Sequence, residues 1–265
     1  DFGEMTRLAK IARPDICVIT NIGFAHLENL GSRDGILKAK TEMFDYMNPE
    51  GTIILNGDDD KLRSFRPSNG LKPVYFGLDT SCPFHAESIT DRGMEGTDAL
   101  FVTPSLRFRA HISIPGDHMV YNALAGIAVG SAMGLTEEEM IRGIESLVPI
   151  AGHNNLIRTE KYSIIDDCYN ANPASMKSSL SVLSRSDTRT VAILGDMFEL
   201  GPEEKELHYE TGRYAAEQNI DVLVCIGALS SETARGAKEN ASGGMSVYHF
   251  PSKDAFFRKM DQILQ

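Results

Sequence analysis

From residue 163 to the end of the chain, short apolar runs alternate with longer helical segments four times over. Few arrangements other than a layered α/β sheet accommodate that rhythm. Residues 163–166, 190–194, 221–226 and 246–250 read as strands; residues 173–183, 203–217, 230–239 and 252–264 read as helices. A strand followed by a helix and then another strand implies parallel pairing, so this half is expected to be a Rossmann-like, doubly wound sheet. In such sheets ligands bind beyond the carboxyl ends of the strands, where helix N-termini present free N–H groups. The first of these turns, Asp166-Asp167-Cys168-Tyr169-Asn170-Ala171-Asn172-Pro173, is dense in hydrogen-bonding side chains, with Asn172 and Pro173 as N-cap and first helical residue. Two readings stand for it: a ligand-binding turn, or a solvated strand end with ordinary turn formers. The second turn, Gly195-Asp196-Met197-Phe198-Glu199-Leu200-Gly201, sets two acids between glycines.

The first half has a different pattern. Residues 3–12 have a helical rhythm, and residues 16–19 are all apolar, as in a strand buried on both faces. A loop carrying His26 follows, then an expected helix at 32–47 with Lys38, Lys40 and Glu42, and a strand at 52–55. Lys40 taken alone is one solvated lysine among several. Asp58-Asp59-Asp60 either gathers a cation or marks a helix start. After a strand at 73–77 the period changes to two between residues 82 and 115, which predicts antiparallel hairpins added to a parallel sheet. Residues 119–133 return to helical spacing, placing His118 and Asn122 four apart on one face. Thr136 and Glu139 form a capping box, and residues 148–152 read as a linker between domains at 1–150 and 151–265.

The formal charge of -11 argues against a nucleic-acid or anionic-membrane partner, and no run approaches the roughly 18 apolar residues of a membrane span. Cys17, Cys82, Cys168 and Cys225 lack metal spacing and read as reduced thiols of a reducing compartment. No nucleophile elbow, zinc spacing or glycosidase pair stands out. What remains is a set of polar groups at strand ends and helix starts, suited to a hydroxylated, phosphorylated ligand.

Five segments together resemble the Mur ligases: Thr20 to Glu28, Lys38-Ala39-Lys40-Thr41-Glu42, Gly116-Asp117-His118 through Ala125, Asp166 to Pro173, and Gly195 to Gly201. The resemblance runs through nearly the whole chain. It implies a truncated central ATPase domain followed by the doubly wound C-terminal domain, in a cytoplasmic, monomeric enzyme of peptidoglycan precursor synthesis. The implied reaction is ATP-dependent: a carboxylate of UDP-N-acetylmuramoyl-tripeptide becomes an acyl phosphate, which the amine of D-alanyl-D-alanine attacks. By the same likeness His26 and a carbamylated Lys40 would hold Mg2+, His118 and Asn122 would line the adenine pocket, and Asp167 would hold the ribose. Tyr169, Asn170, Asn172, Asp196, Glu199 and His208 would shape the acceptor site.

Two positions depart from the family pattern, Met119 for an expected Asn and His153 for an expected Arg. The chain also contains no Gly-x-x-x-x-Gly-Lys-Ser/Thr loop and starts at Asp1 rather than at Met. It is therefore expected to be a fragment lacking the UDP-binding domain, the phosphate loop and the extreme C-terminus, and to be inactive by itself. A different amide ligase of the superfamily, such as a folylpolyglutamate synthetase, and a non-catalytic nucleotide-binding module are the competing readings.

Overall fold

The computed structural model describes residues 1–24 and 27–265, and these divide into two compact units, Asp1–Val148 and Pro149–Gln265. Helix α1 (Glu4–Ala12) ends at Arg13, which takes the left-handed conformation at φ 44. Strand β1 (Ile16–Ile19) leads to α2 (Leu27–Leu30) and to α3 (Arg33–Thr41), whose first turn is capped by the Ser32 hydroxyl accepting from the Gly35 N–H. The helix expected over 32–47 stops early, and residues Glu42–Tyr46 tighten into a 3₁₀ turn. There the Glu42 carboxylate turns aside to accept the N–H groups of Gly3 and Thr6 at the start of α1.

Strand β2 (Thr52–Asn56), helix α4 (Asp60–Ser64) and strands β3 (Val74–Gly77), β4 (Phe84–Asp91), β5 (Thr97–Val102) and β6 (Arg107–Ile112) follow. The six strands pair in chain order. Pairing is parallel from β1 to β4 and antiparallel from β4 to β6, the change that the shift of period at residue 82 predicts. A register shift between Glu87 and Thr90 coincides with Ser88 at φ 49, a bulge in β4 where it pairs with β5.

Helix α5 (His118–Ala132) lies on one face, and α6 (Glu137–Glu145) begins with the full Thr136–Glu139 capping box. Alternate residues of β2 feed opposite cores. Ile54 packs with Phe76, Phe101, Leu124 and Ile127 toward α5, while Ile53 and Leu55 pack with Ile36, Phe44 and Leu62 on the other side.

In the second unit, β7 (Asn155–Arg158) and β8 (Ser163–Asp166) form an antiparallel hairpin. This corrects the expectation that residues 163–166 belong to the parallel sheet. The Thr159 hydroxyl accepts from the Tyr162 N–H and folds β8 back on β7, whose four residues show no period of their own. Helix α7 (Pro173–Leu183), strand β9 (Val191–Gly195), helix α8 (Glu204–Glu217), strand β10 (Val222–Ile226), helix α9 (Ser230–Asn240) and strand β11 (Ser246–Phe250) alternate as expected.

The three strands form a parallel sheet in the order β11-β10-β9. Both faces are covered: Leu223 and Cys225 pack with Leu180, Ala215 and Ala234, while Val222 and Val224 pack with Phe256 and Ile263. The last helix is split into α10 (Lys253–Phe257) and α11 (Met260–Ile263), so that both Phe256 and Ile263 reach this second face. Helices α8 and α9 touch backbone to backbone. A Cβ on Gly212 would stand 1.9 Å from the Thr233 carbonyl, and one on Gly236 would stand 2.1 Å from that of Tyr209. Among the described residues no helix is long and apolar enough to cross a membrane.

Candidate functional site

The loop after β1 is held by side chains from three other segments. Asn56 Nδ2 donates to the Thr20 carbonyl at 3.0 Å, the Ile22 N–H donates to Asp59 Oδ2 at 2.8 Å, and Arg33 Nε donates to the Ile22 carbonyl at 2.9 Å. Lys40, from the last turn of α3, donates through Nζ to the Asn21 carbonyl at 3.1 Å. Burial lowers the Lys40 pKa below the ordinary lysine value, and the nearby Asp59 charge opposes that shift. An amine that sheds its proton more readily has a larger nucleophilic fraction at neutral pH. His26 lies outside the described residues.

The three consecutive acids are each occupied. Asp59 caps α4, its Oδ1 accepting from the Lys61 and Leu62 N–H groups, and Asp60 pairs with Arg33. Asp58 accepts from the Leu78 N–H and, at 3.0 Å, from the Tyr121 hydroxyl; burial and this acid push the phenol up to about 12. The helix-start reading of the run therefore holds. Among the described residues no group of three His, Cys, Asp or Glu side chains could hold a metal ion, and Lys40 as an amine is a donor rather than a ligand. As a free amine Lys40 does not ligate Mg2+; its carbamate would.

His118 is the first residue of α5, half-buried, and Asn122 sits one turn on and is exposed. Met119 interacts with the Asn122 amide, Nδ2 to Sδ at 3.4 Å, so the residue that departs from the family pattern binds a neighbouring candidate.

In the second unit, residues 152–154 and 166–169 are tied together. Asp166 accepts from the Gly152 N–H at 3.0 Å, Asp167 Oδ1 accepts from the Asn154 N–H at 3.0 Å, and the Tyr169 N–H donates to the Gly152 carbonyl at 3.1 Å. The other Asp167 oxygen accepts from the Ser179 hydroxyl of α7. Bonds from the Cys168 thiol and the Gly152 N–H hold the Asp166 carboxyl below its usual range. Gly152 has φ 78 and meets Tyr169 closely, and the His153 and Tyr169 rings lie 4.6 Å apart. Tyr169 itself is 75% exposed. Asn170 turns its side chain onto the Ala171 N–H, and Asn172 caps α7 in a reciprocal box with Ser175.

The loop at 195–201 buries Met197 and Leu200 and leaves Phe198 and Glu199 exposed, Glu199 at φ 60. Asp196 Oδ1 accepts from both the N–H and the hydroxyl of Ser230, at 2.7 and 2.6 Å, and so caps α9 from a neighbouring strand end. His208 is fully buried. Its Nε2 accepts from the Met197 N–H at 2.9 Å, which leaves the proton on Nδ1 for the Glu204 carbonyl at 2.7 Å. It is a neutral pin beneath the loop.

Sequence reasoning missed Tyr121, Ser179 and Ser230 as partners of the candidate acids. Ser179 had a faint signal, four residues along α7 from Ser175; the other two had none.

Residues 1–130 match the Mur ligase middle domain and residues 155–265 match the "Mur ligase, glutamate ligase domain". The chain belongs to the Mur ligase family.

Within that family it is similar to the UDP-N-acetylmuramoyl-tripeptide–D-alanyl-D-alanine ligases. The Bacillus subtilis protein of that name is 32% identical over 95% of this chain, and the Escherichia coli one is 29% identical over 99%. The chain spans about half the length of these relatives, 54% and 57% respectively. A crystal structure of MurF from Acinetobacter baumannii superposes with a TM-score of 0.89 at 30% identity, covering 99% of this chain and 56% of that one. MurF ligase from Thermotoga maritima in complex with ADP shares the fold, with a TM-score of 0.79 at 24% identity over 99% of this chain and 64% of its own.

Proposed function

We propose that the protein carrying this chain is an ATP-dependent amide ligase that joins D-alanyl-D-alanine to UDP-N-acetylmuramoyl-tripeptide in the cytoplasm. The similarity to relatives of that name covers nearly the whole chain. The observation that carries the mechanism is Lys40, an amine whose proton is loosened by burial and which lies against the Asn21 carbonyl.

Unit one would be the nucleotide-handling half. The neutral Lys40 amine would add carbon dioxide and release one proton to solvent, giving a carbamate whose carboxylate, with His26, would hold Mg2+; that ion, when bound, would supply positive charge for a phosphoryl group. His118 and Asn122 at the start of α5 would receive adenine.

Unit two would be the acceptor half. Asp167 would take the ribose hydroxyls while its own bonds to Asn154 and Ser179 fix its direction. Tyr169 and Asn170 stand at the exposed turn, and Glu199 at the exposed loop. Asn172, Asp196 and His208 would act from behind, through the helix caps and the pin that hold these segments. The attacking amine loses a proton as phosphate leaves, and groups that exclude water keep the acyl phosphate from hydrolysis.

The test is product formation from ATP, UDP-N-acetylmuramoyl-tripeptide and D-alanyl-D-alanine by the whole protein, beside a panel of single amino-acid acceptors. Lys40→Arg keeps the charge but cannot form the carbamate, and a loss of at least 100-fold in kcat is expected. Turnover of Lys40→Arg at the wild-type rate, or preference for a single amino acid, would overturn this reading.

A further inference from the structure

A cleft of about 620 Å³ opens in unit one between α4, the 65–73 segment and β3, away from every residue assigned above. It lies within the size range of small-molecule sites. Its walls are Leu71, Pro67, Pro73 and the Tyr75 ring, with Cys82 and Gly57 among the lining. Three cations, Arg63, Arg66 and Lys72, line it, and no Asp or Glu does, in a chain whose formal charge is -11.

The three cations are not equivalent. Arg63 is committed to the Gly57 carbonyl, Asp79 and the Ser81 hydroxyl, and so forms part of the frame. Arg66 spends one nitrogen, Nη1, on the backbone carbonyls of Arg63 and Phe65 and, among the described residues, meets no carboxylate. Lys72 makes no hydrogen bond or ion pair among the described residues. Two cations without acids beside apolar and aromatic walls are complementary to a ligand with the opposite charge and an apolar body.

We propose that this cleft binds a small organic anion in which a phosphate or carboxylate head is attached to a ring. Arg66 and Lys72 receive the head, with Arg66 offering its remaining N–H groups in a planar fork. The ring lies between Tyr75 and Leu71. The proposal does not rest on the ligase reading, since none of these residues serves it.

Phenyl phosphate, benzoate, inorganic phosphate and benzyl alcohol, titrated into the whole protein by calorimetry and by amide shifts, test it. At least one of the two aryl anions is expected to bind at least tenfold more tightly than inorganic phosphate, and which one tells phosphate from carboxylate recognition. Raising the salt should weaken it, and the Arg66→Ala/Lys72→Ala double variant should lose at least tenfold in affinity. Both residues are exposed, so the variant's melting temperature should match the parent's. Benzyl alcohol binding as well as the aryl anions, an unchanged affinity in the double variant, or no saturable binding of either anion up to millimolar concentration would each refute the site.

Discussion

The loop after β1 in the first unit hangs from Asn56, Asp59, Arg33 and Lys40, side chains that reach in from elsewhere. In the second unit carboxylates also tie the junctions, but close backbone approach is added to them. Gly152 lets residues 152–154 lie against Tyr169, Gly227 leaves room for the Asp196 carboxylate, and Gly212 and Gly236 let α8 and α9 touch. The loop after β1 is thus placed by added bonds, and the α8–α9 pair by omitted carbon. The two strategies fail differently. A lost side chain removes one bond and leaves the backbone in place, whereas an added methyl group must move a whole segment.

The sharpest way to break the contrast is Gly212→Ala. In a free helix that change gains about 1 kcal/mol in propensity, but here the new carbon meets a carbonyl oxygen in the middle of α9. Overpacking costs about 1–3 kcal/mol and occasionally more, and a 1.9 Å approach to a backbone oxygen, which no rotamer change relieves, belongs at the upper end, so the clash wins and chemical denaturation should show a net loss, with Gly236→Ala behaving alike. Were either to stabilise the protein, the close packing would be refuted. Asp59→Ala comes next. It removes the cap of α4, worth about 1–2 kcal/mol, together with the bond to Ile22, and faster amide exchange at Ile22 should accompany the loss.

Lys40→Met should act in the opposite direction. Burial lowers the lysine pKa, so the folded chain sheds that proton at a lower pH than the unfolded chain, which titrates near 10.5. The stability of the parent therefore rises with pH between the lowered value and 10.5. The variant should melt higher at neutral pH, with the difference shrinking toward that limit; a difference independent of pH would contradict the assignment. Tyr121→Phe is expected to be the mildest. An ultraviolet titration of the parent should show a phenol ionising at about 12, and the variant should lose that phase.

Much of this architecture was legible in the residues. Apolar runs marked β1, β2 and β10, the change of period marked the hairpins, and the Thr136 and Asn172 caps were written in local spacing. Local signals failed where a distant partner decided the outcome. Residues 163–166 look like any buried strand until β7 pairs with them, and the helix at 32–47 is curtailed where Glu42 bonds to α1. The candidate site divides in the same way. Spacing located the turns bearing Asp167 and Asp196. Nothing near Asp196 in sequence announced Ser230, 34 residues on, and nothing near His208 showed that both its nitrogens were engaged inside the fold.

The bond between Asp196 and Ser230 has a consequence for how the second unit can answer a ligand. A cationic amine drawn to this carboxylate would compete with the first amide and hydroxyl of α9 for the same oxygen. Arrival at the loop would then loosen the opening turn of a helix that belongs to the next strand. Recognition there would be an exchange of partners, and its sign would be a newly fraying amide at Ser230 rather than a newly protected one.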